Sequence, residues 1–377
     1  MLHGPDTMSR NVDANVCGNA IPGLPALGTP EAEDPSAFIA RTEGITIADL
    51  TAAIPVDCLQ PRLGRSLLAV LTSLLLTAVI YTALALNPYG WLLPPLWFLA
   101  GSTIWGFYVI GHDCGHGSFS KNRRLNHIMG HLMLTPLLSP FHSWRILHNQ
   151  HHANTNNIEK DLDWRPLPAV LFPNLPWHTR AIYWLNRTWL WWTGSLYFIW
   201  TRAFFPSMFP EGHSRRNVRV SIAVVTIYAA IFFPTLIYFT GFWGLFKYFL
   251  IPWAIAYGWF STITLTHHTH PQIPYLNKAR WNPVMASLTM TVYCKYPRWT
   301  EFLGHDITVH IPHHVAPGIP WYNLRRSHDA LKEQWPDLVQ EFRFSWRYLL
   351  QLLRSCHLND LRSGFYVPFS PSGRRGP

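Results

Sequence analysis

The stretch Trp91-Leu-Leu-Pro-Pro-Leu-Trp-Phe-Leu-Ala-Gly-Ser-Thr-Ile-Trp-Gly-Phe-Tyr-Val-Ile-Gly-His-Asp-Cys-Gly-His116 decides the fold. Trp91–Gly111 carries no charge and is long enough to cross a hydrocarbon core as a helix, which takes about 20 residues. His112 and His116 follow at a spacing of four, which puts both imidazoles on one helix face. An apolar span therefore runs directly into two side chains suited to metal binding. Two further clusters repeat the theme, His148-Asn-Gln-His-His152 and His310-Ile-Pro-His-His314, each with histidines at i, i+3 and i+4. Together His112, His116, His148, His151, His152, His310, His313 and His314 suit a site for two metal ions. A zinc hydrolase needs only three ligands and an open position. Two redox-active irons, each with several imidazoles and a free position for O2, fit the set better. Soluble di-iron proteins build such sites from Glu and Glu-x-x-His motifs; here the ligands are nearly all histidine.

Composition agrees with a membrane setting. Hydrophobic residues make up 49% of the 377 residues and charged residues only 13%, against about 25% charged in a soluble domain. The 19 tryptophans suit interfacial belts. The net charge of +10 reads as positive-inside loops in contact with anionic lipid. Nucleic-acid binding is excluded, since the basic residues are scattered and no recognition motif accompanies them. Cys17, Cys58, Cys114, Cys294 and Cys356 form no disulfide or C-x-x-C pattern and read as reduced thiols.

Residues 1–35 are expected to be a flexible tail, and residues 36–377 one membrane domain. Residues 45–60 read as a short amphipathic helix that ends at Pro55 and lies on the membrane surface. Four spans are expected, Ser66–Leu86, Trp91–Gly111, Val218–Thr240 and Phe242–Leu265, paired into two hairpins by Asn87–Gly90 and by Gly241. All of the 30 Lys and Arg except Lys247 then fall on one side, which is cytoplasmic by the positive-inside rule. Ile128–Pro140 is too short to cross, and Ala181–Phe205, with Arg187 and Arg202, reads as interfacial helix. The expectation is an all-α integral membrane fold: four transmembrane helices as two hairpins, interfacial helices, and a cytoplasmic helical cap. The cap comes from 112–217 and 266–377 and holds all eight histidines at one site beside a lipid-accessible bundle.

The clusters, their order and their intervals resemble the membrane fatty acid desaturase superfamily, from about Ile45 to Phe369. Gly111-His-Asp-Cys-Gly-His-Gly-Ser-Phe-Ser120 and Trp144-Arg-Ile-Leu-His-Asn-Gln-His-His-Ala-Asn-Thr155 look like the first two boxes of its acyl-lipid members. His305-Asp-Ile-Thr-Val-His-Ile-Pro-His-His314 resembles the omega-6 (Δ12) branch of cyanobacteria and plastids. So do Ile319-Pro-Trp-Tyr-Asn-Leu-Arg325, Cys356-His-Leu-Asn-Asp360 and Tyr366-Val-Pro-Phe369. The resemblance implies an O2-dependent desaturase, with two iron ions (Fe2+/Fe3+) and O2 as co-substrate. It would make a second cis double bond in a lipid-linked oleoyl chain, giving linoleoyl. It implies a bacterial inner-membrane protein with both termini and the active site in the cytoplasm. It also implies a ninth ligand at the end of the fourth span, in Thr264-Leu-Thr-His-His-Thr-His270, where His268 is the choice over His267 and His270. The alternatives are an omega-3 desaturase, whose branch typically has a different third box and flanks, and a hydroxylase, an acetylenase or a carotenoid oxygenase, which would share the boxes. A non-enzymatic metal-handling protein would place polar groups within its spans, and these spans hold almost no charge.

Carboxylates near the boxes would orient ligand imidazoles; Asp113 and Asp306 are the first choice, before Asp161 and Asp163. His127 and His131, despite their spacing, read as packing residues, as do His142, His178, His213, His328 and His357. The chain contains no His-Pro-Gly-Gly haem motif and no iron–sulfur cysteine pattern. Electrons are therefore expected from a separate, ferredoxin-like donor, steered by Arg123, Arg124, Arg325 and Arg326. The same arginines would equally bind lipid headgroups.

Overall fold

A computed structural model describes residues 36–369; the tail expected over 1–35 lies outside the described residues. After α1 (Ser36–Ala40), α2 (Ile47–Ala53) opens on a capping box. Thr46 Oγ1 accepts the Asp49 N–H at 3.2 Å, and the Asp49 carboxylate accepts the Thr46 N–H at 2.8 Å. Two long apolar helices follow, α3 (Leu63–Leu86) and α4 (Leu93–His116). Asn87 turns the chain between them, its Oδ1 accepting the Tyr89 N–H at 3.0 Å. Next come α5 (Arg123–Leu134), α6 (Phe141–His152), strand β1 (Leu167–Pro168), α7 (Trp177–Arg187) and α8 (Gly194–Arg202). The second apolar pair is α9 (His213–Leu245) and α10 (Ile251–His268), bridged by a π-helical turn at Phe246–Leu250.

Among the described residues, three continuous helical stretches are long and apolar enough to cross a membrane: Leu63–Leu86, Gly90–His116 and His213–His268. The last is not straight. Gly241 sits at φ 68°, ψ 179°, a conformation essentially reserved for glycine. Phe232 and Phe249 would stand about 25 Å apart along an unbroken helix, yet their rings are 5.5 Å apart. The chain folds back at Gly241, as the sequence suggests. Leu68, Leu71, Leu75 and Val79 on α3 are all more than half exposed (61, 52, 56 and 64%), a surface that belongs in lipid rather than water. α4 packs against both α3 and α10.

The segment Ala181–Phe205 is split into α7 and α8, about 16 and 14 Å long, too short for a hydrocarbon core of about 30 Å. Its Arg187 is buried, donates to the Trp164 carbonyl at 2.7 Å and lies over the Trp164 and Tyr183 rings.

The cap is completed by α11 (Pro283–Leu288), β2 (Val292–Lys295), α12 (Arg298–Leu303), α13 (His310–Val315), α14 (Leu324–Gln334), β3 (Gln340–Arg343), α15 (Trp346–Ser355), β4 (Leu358–Asn359) and β5 (Tyr366–Val367). Two expectations change here. The cap is helix-rich but not all-α: β2 pairs in parallel with β3, and β1, β4 and β5 form a second small sheet. Strands this short carry too few residues for alternation to be read in sequence. Nor does α2 keep its apolar face free for a membrane surface. Leu50 and Ile54 are fully buried against Val309, Ile311, Val315 and Leu324. The apolar face of a short helix fits a protein core as well as a membrane, and its partners here lie more than 200 residues away in sequence.

A Cβ on residue 241 would meet open space, so its substitution tests the backbone alone. Gly241→Ala is expected to destabilise the protein by about 1–3 kcal/mol. Gly90→Ala, equally unobstructed and without a positive φ, should be close to neutral. Unfolding midpoints in micelles compare the two.

Candidate metal centre

Four helices end at one place, and each brings its histidines in its closing turns. α4 contributes His112 and His116 and stops at Gly117, whose left-handed φ of 77° caps it. α6 ends in His148, His151 and His152, and α10 in His267 and His268, while α13 is the third cluster itself. The C-terminal ends of helices carry partial negative charge, which favours a cation held between them.

The side chains form two groups. His112, His116, His148, His152 and His313 offer nitrogens within 4.8 Å of one another, as do His151, His268 and His314. His310 adjoins the second group, its Nε2 3.0 Å from that of His314. In the first group, Nε2–Nε2 separations are 3.0 Å for His112–His313, 2.9 Å for His152–His313 and 3.0 Å for His148–His152. In the second, His151 and His268 are 3.2 Å apart. With metal–nitrogen bonds of about 2.1 Å, two ligands at right angles stand about 3.0 Å apart. The spacings are therefore those of ligand atoms around an ion. The buried Nε2 of His116 has no hydrogen-bond partner among the described residues, as a nitrogen reserved for a metal requires. The two groups touch through the stacked rings of His152 and His314, 4.2 Å apart.

Three of the opposite ring nitrogens are held by protein acceptors. His151 Nδ1 is 2.7 Å from Asp161 Oδ1, His314 Nδ1 is 3.1 Å from Thr155 Oγ1, and His310 Nδ1 is 3.3 Å from the Ile307 carbonyl. This turns Nε2 inward and fixes the tautomer. Burial, reinforced by neighbouring imidazoles, holds His148, His152, His310, His313 and His314 well below the usual imidazole range. They are therefore neutral, the form that ligates. Burial also pushes His151 down, but the charge and hydrogen bond of Asp161 outweigh it and raise the group. Trp144 closes one wall: its ring stacks on His148 at 4.7 Å, and its Nε1 donates to Tyr108 Oη at 2.6 Å.

The carboxylates fall out differently from their sequence ranking. Asp161, fully buried, is the one that grips a cluster imidazole. Its second oxygen accepts the Asn156 N–H at 2.7 Å, and Asn156 Nδ2 donates to the His268 carbonyl at 3.2 Å, so one loop joins the ends of α6 and α10. Asp113 is only 3.4 Å from its neighbour His112 and accepts the Trp321 N–H at 3.1 Å. Asp306 stands apart, bound to Arg325, whose Nε donates to Asp306 Oδ2 at 2.9 Å and whose Nη2 donates to Glu301 at 2.8 Å. The signal for Asp161 lay in the loop that returns after the second box, and proximity in sequence hid it. His267 stacks on His310 at 3.8 Å, and His270 on Phe342 at 4.5 Å. His131 Nε2 meets Ser221 Oγ at 3.0 Å, and the His127 and His142 rings are 5.0 Å apart, a packing cluster between α5, α6 and α9. Cys58, Cys114, Cys294 and Cys356 are buried free thiols.

The sequence model of the family described as Fatty acid desaturase matches residues 89–346. Among curated proteins, the sn-1 oleoyl-lipid 12-desaturase of Picosynechococcus sp. is 41% identical over 344 residues, 90% of this chain and 96% of that protein. The protein of the same name from Synechocystis sp. is 41% identical over 321 residues, 85% of this chain and 91% of its own length. The chloroplastic omega-6 fatty acid desaturase of Arabidopsis thaliana is 37% identical over 330 residues, 87% of this chain and 72% of that protein.

Asp161→Asn is expected to lower metal affinity about 10- to 100-fold, read as metal retained per chain after dialysis against a graded chelator. Asp306→Asn should leave that retention unchanged.

Proposed function

The chain belongs to the fatty acid desaturase family, and on that premise we propose that it is an O2-dependent Δ12 (omega-6) desaturase that converts lipid-linked oleoyl chains to linoleoyl chains. The observation that carries the reading is the convergence of nine histidines, in two groups with ligand spacing, at the ends of apolar helices. The names of the relatives supply the substrate and the position of the double bond.

His112, His116, His148, His152 and His313 would hold one iron, and His151, His268, His310 and His314 the other. Bound there, the iron pair supplies the redox chemistry by which O2 is reduced and two hydrogens leave adjacent methylenes. The reaction balances as –CH2–CH2– plus O2, two electrons and two protons giving –CH=CH– and two waters. The residues of the chain place and protect that chemistry. Asp161 and Thr155 aim their imidazoles, Trp144 and Tyr108 wall the site from water, and an apolar void of about 10 Å³, which must widen to admit an acyl chain, lies between α4 and α10. Trp105, Tyr108, Leu137, Ala256, Tyr257 and Phe260 line it, one helical turn from His112. A substrate held in an apolar passage reacts at the carbon pair that the passage presents.

The fold-back at Gly241 supports four spans, Ser66–Leu86, Trp91–Gly111, Val218–Thr240 and Phe242–Leu265. The cap and both ends of the described chain then share one side, and the positive-inside rule makes it the cytoplasmic side of a bacterial inner membrane. Electrons come from a separate acidic, ferredoxin-like donor. Of the arginines first considered, Arg325 is taken up by Glu301 and Asp306, and Arg326 by Asp57. Lys121, Arg123 and Arg145 instead surround a cavity of about 620 Å³ that reaches His116 and has no acidic residue in its lining. That mouth fits an acidic partner.

Expression in a host that makes oleate but no linoleate should yield a new 18:2 chain by fatty acid analysis. His151→Ala and His268→Ala should each abolish it. Absence of the diene despite folded, iron-loaded protein and a competent donor contradicts the assignment.

The double variant Lys121→Glu/Arg123→Glu is expected to raise the KM for a ferredoxin donor about tenfold at low salt. The effect should vanish when dithionite replaces the protein donor; an equal loss with both reductants contradicts the docking face.

A further inference from the structure

A second cavity, of about 560 Å³, lies between α3 and the segment that leads from α12 towards the third histidine cluster. Nothing in the reaction uses it. One wall is a single face of α3: Arg65, Leu68, Ala69 and Thr72 follow the i, i+3, i+4, i+7 rule. The other wall brings Arg298 and Phe302 from α12, then His305, Trp321 and Tyr322.

The polar end of this cavity sets Arg65, Arg298 and Arg325 against Glu301 and Asp306, and both carboxylates pair with Arg325. Arg65 and Arg298 have no carboxylate partner among the described residues; Arg65 rests on the Tyr322 ring, 5.3 Å from its centroid. Arg65, Arg298 and Arg325 outnumber Glu301 and Asp306 by one charge, and the two guanidiniums without a carboxylate partner make a site for an anion.

The other end is apolar and runs down the part of α3 that faces lipid. Leu68 is 61% exposed and Phe302 59%. The Thr72 hydroxyl donates to the Leu68 carbonyl at 2.8 Å and so offers little polarity outward. A ligand that fits both ends carries an anionic head and an acyl chain aligned with α3.

From this layout we propose that the cavity binds one anionic glycerolipid, with its phosphoryl or sulfo headgroup between Arg65 and Arg298 and an acyl chain along Leu68, Thr72 and Phe302. The lipid then bridges α3 to the loop before α13. That loop is already tied to α3 by His305 Nε2 and Ser73 Oγ at 2.9 Å, and it carries two consecutive left-handed residues, His305 (φ 45°) and Asp306 (φ 53°). The proposal goes beyond the desaturase assignment, because it concerns a bound lipid at a place separate from the histidines.

Native mass spectrometry of the delipidated full chain in a neutral detergent, without added iron, tests it independently of turnover. Phosphatidylglycerol, phosphatidylcholine and sn-glycerol 3-phosphate are titrated in turn. The expected result is one phosphatidylglycerol per chain, held about tenfold more tightly than phosphatidylcholine. Arg65→Ala/Arg298→Ala should abolish that preference and Arg62→Ala, outside the cavity, should keep it. Phosphatidylglycerol should also raise the thermal midpoint of the wild-type chain and fail to raise that of the milder Arg298→Gln variant. The proposal is overturned if the double variant retains the preference, if Arg298→Gln is stabilised as much as the wild type, or if glycerol 3-phosphate binds as tightly as the lipid.

Discussion

Nine imidazoles facing one another, six of them buried and His116, His148 and His152 partly so, constrain everything else in this protein. A buried polar nitrogen without a partner costs about 1–3 kcal/mol, and these side chains point their Nε2 atoms at each other, with the His116 nitrogen unpartnered. Metal ions bound here would resolve the conflict, supplying the missing partner for the inward nitrogens at once. The arrangement also dictates where helices stop. α4, α6 and α10 must each end within a turn of the cluster, and their C-terminal partial charges then help to hold the cations. Gly117 provides the stop for α4, and the loop from Asn156 to Asp161 ties the ends of α6 and α10 together.

The membrane setting turns that metal site into a lipid-modifying one. The helices that carry His112, His116 and His268 are the apolar ones, so the segments long and apolar enough to cross a bilayer also carry candidate ligands. In the proposed reading an apolar substrate would approach along α4 and α10 and an electron donor would meet the basic mouth beside His116, two routes from opposite environments that need not compete. Trp144, packed on His148 and hydrogen-bonded to Tyr108, stands between the apolar passage and the first group.

Much of this was legible in the sequence because the strongest signals are local. Long uncharged runs mark the apolar helices, and spacings of three and four mark imidazoles on one face. Gly241 between two apolar runs marks the fold-back. The choice of His268 over its neighbours came through the resemblance, and the structure seats it beside His151 while His267 and His270 stack on His310 and Phe342. What stayed hidden depends on tertiary neighbours. Asp161 outranks Asp306 because a loop returns it to His151, which no spacing rule encodes. α2 joins the cap core because its apolar face finds Val309 and Ile311. Arg325 and Arg326 look like free surface cations in sequence, yet Glu301, Asp306 and Asp57 neutralise them. Ladders of two to four residues fall below any periodicity.

The most direct test of the central claim is iron K-edge X-ray absorption on the purified, iron-loaded chain, combined with its metal stoichiometry. Two irons per chain are predicted, with a first shell dominated by nitrogen at about 2.1 Å and the outer-shell scattering of imidazole rings. A single iron per chain, or a sulfur shell implicating Cys114, would contradict a paired, histidine-only centre.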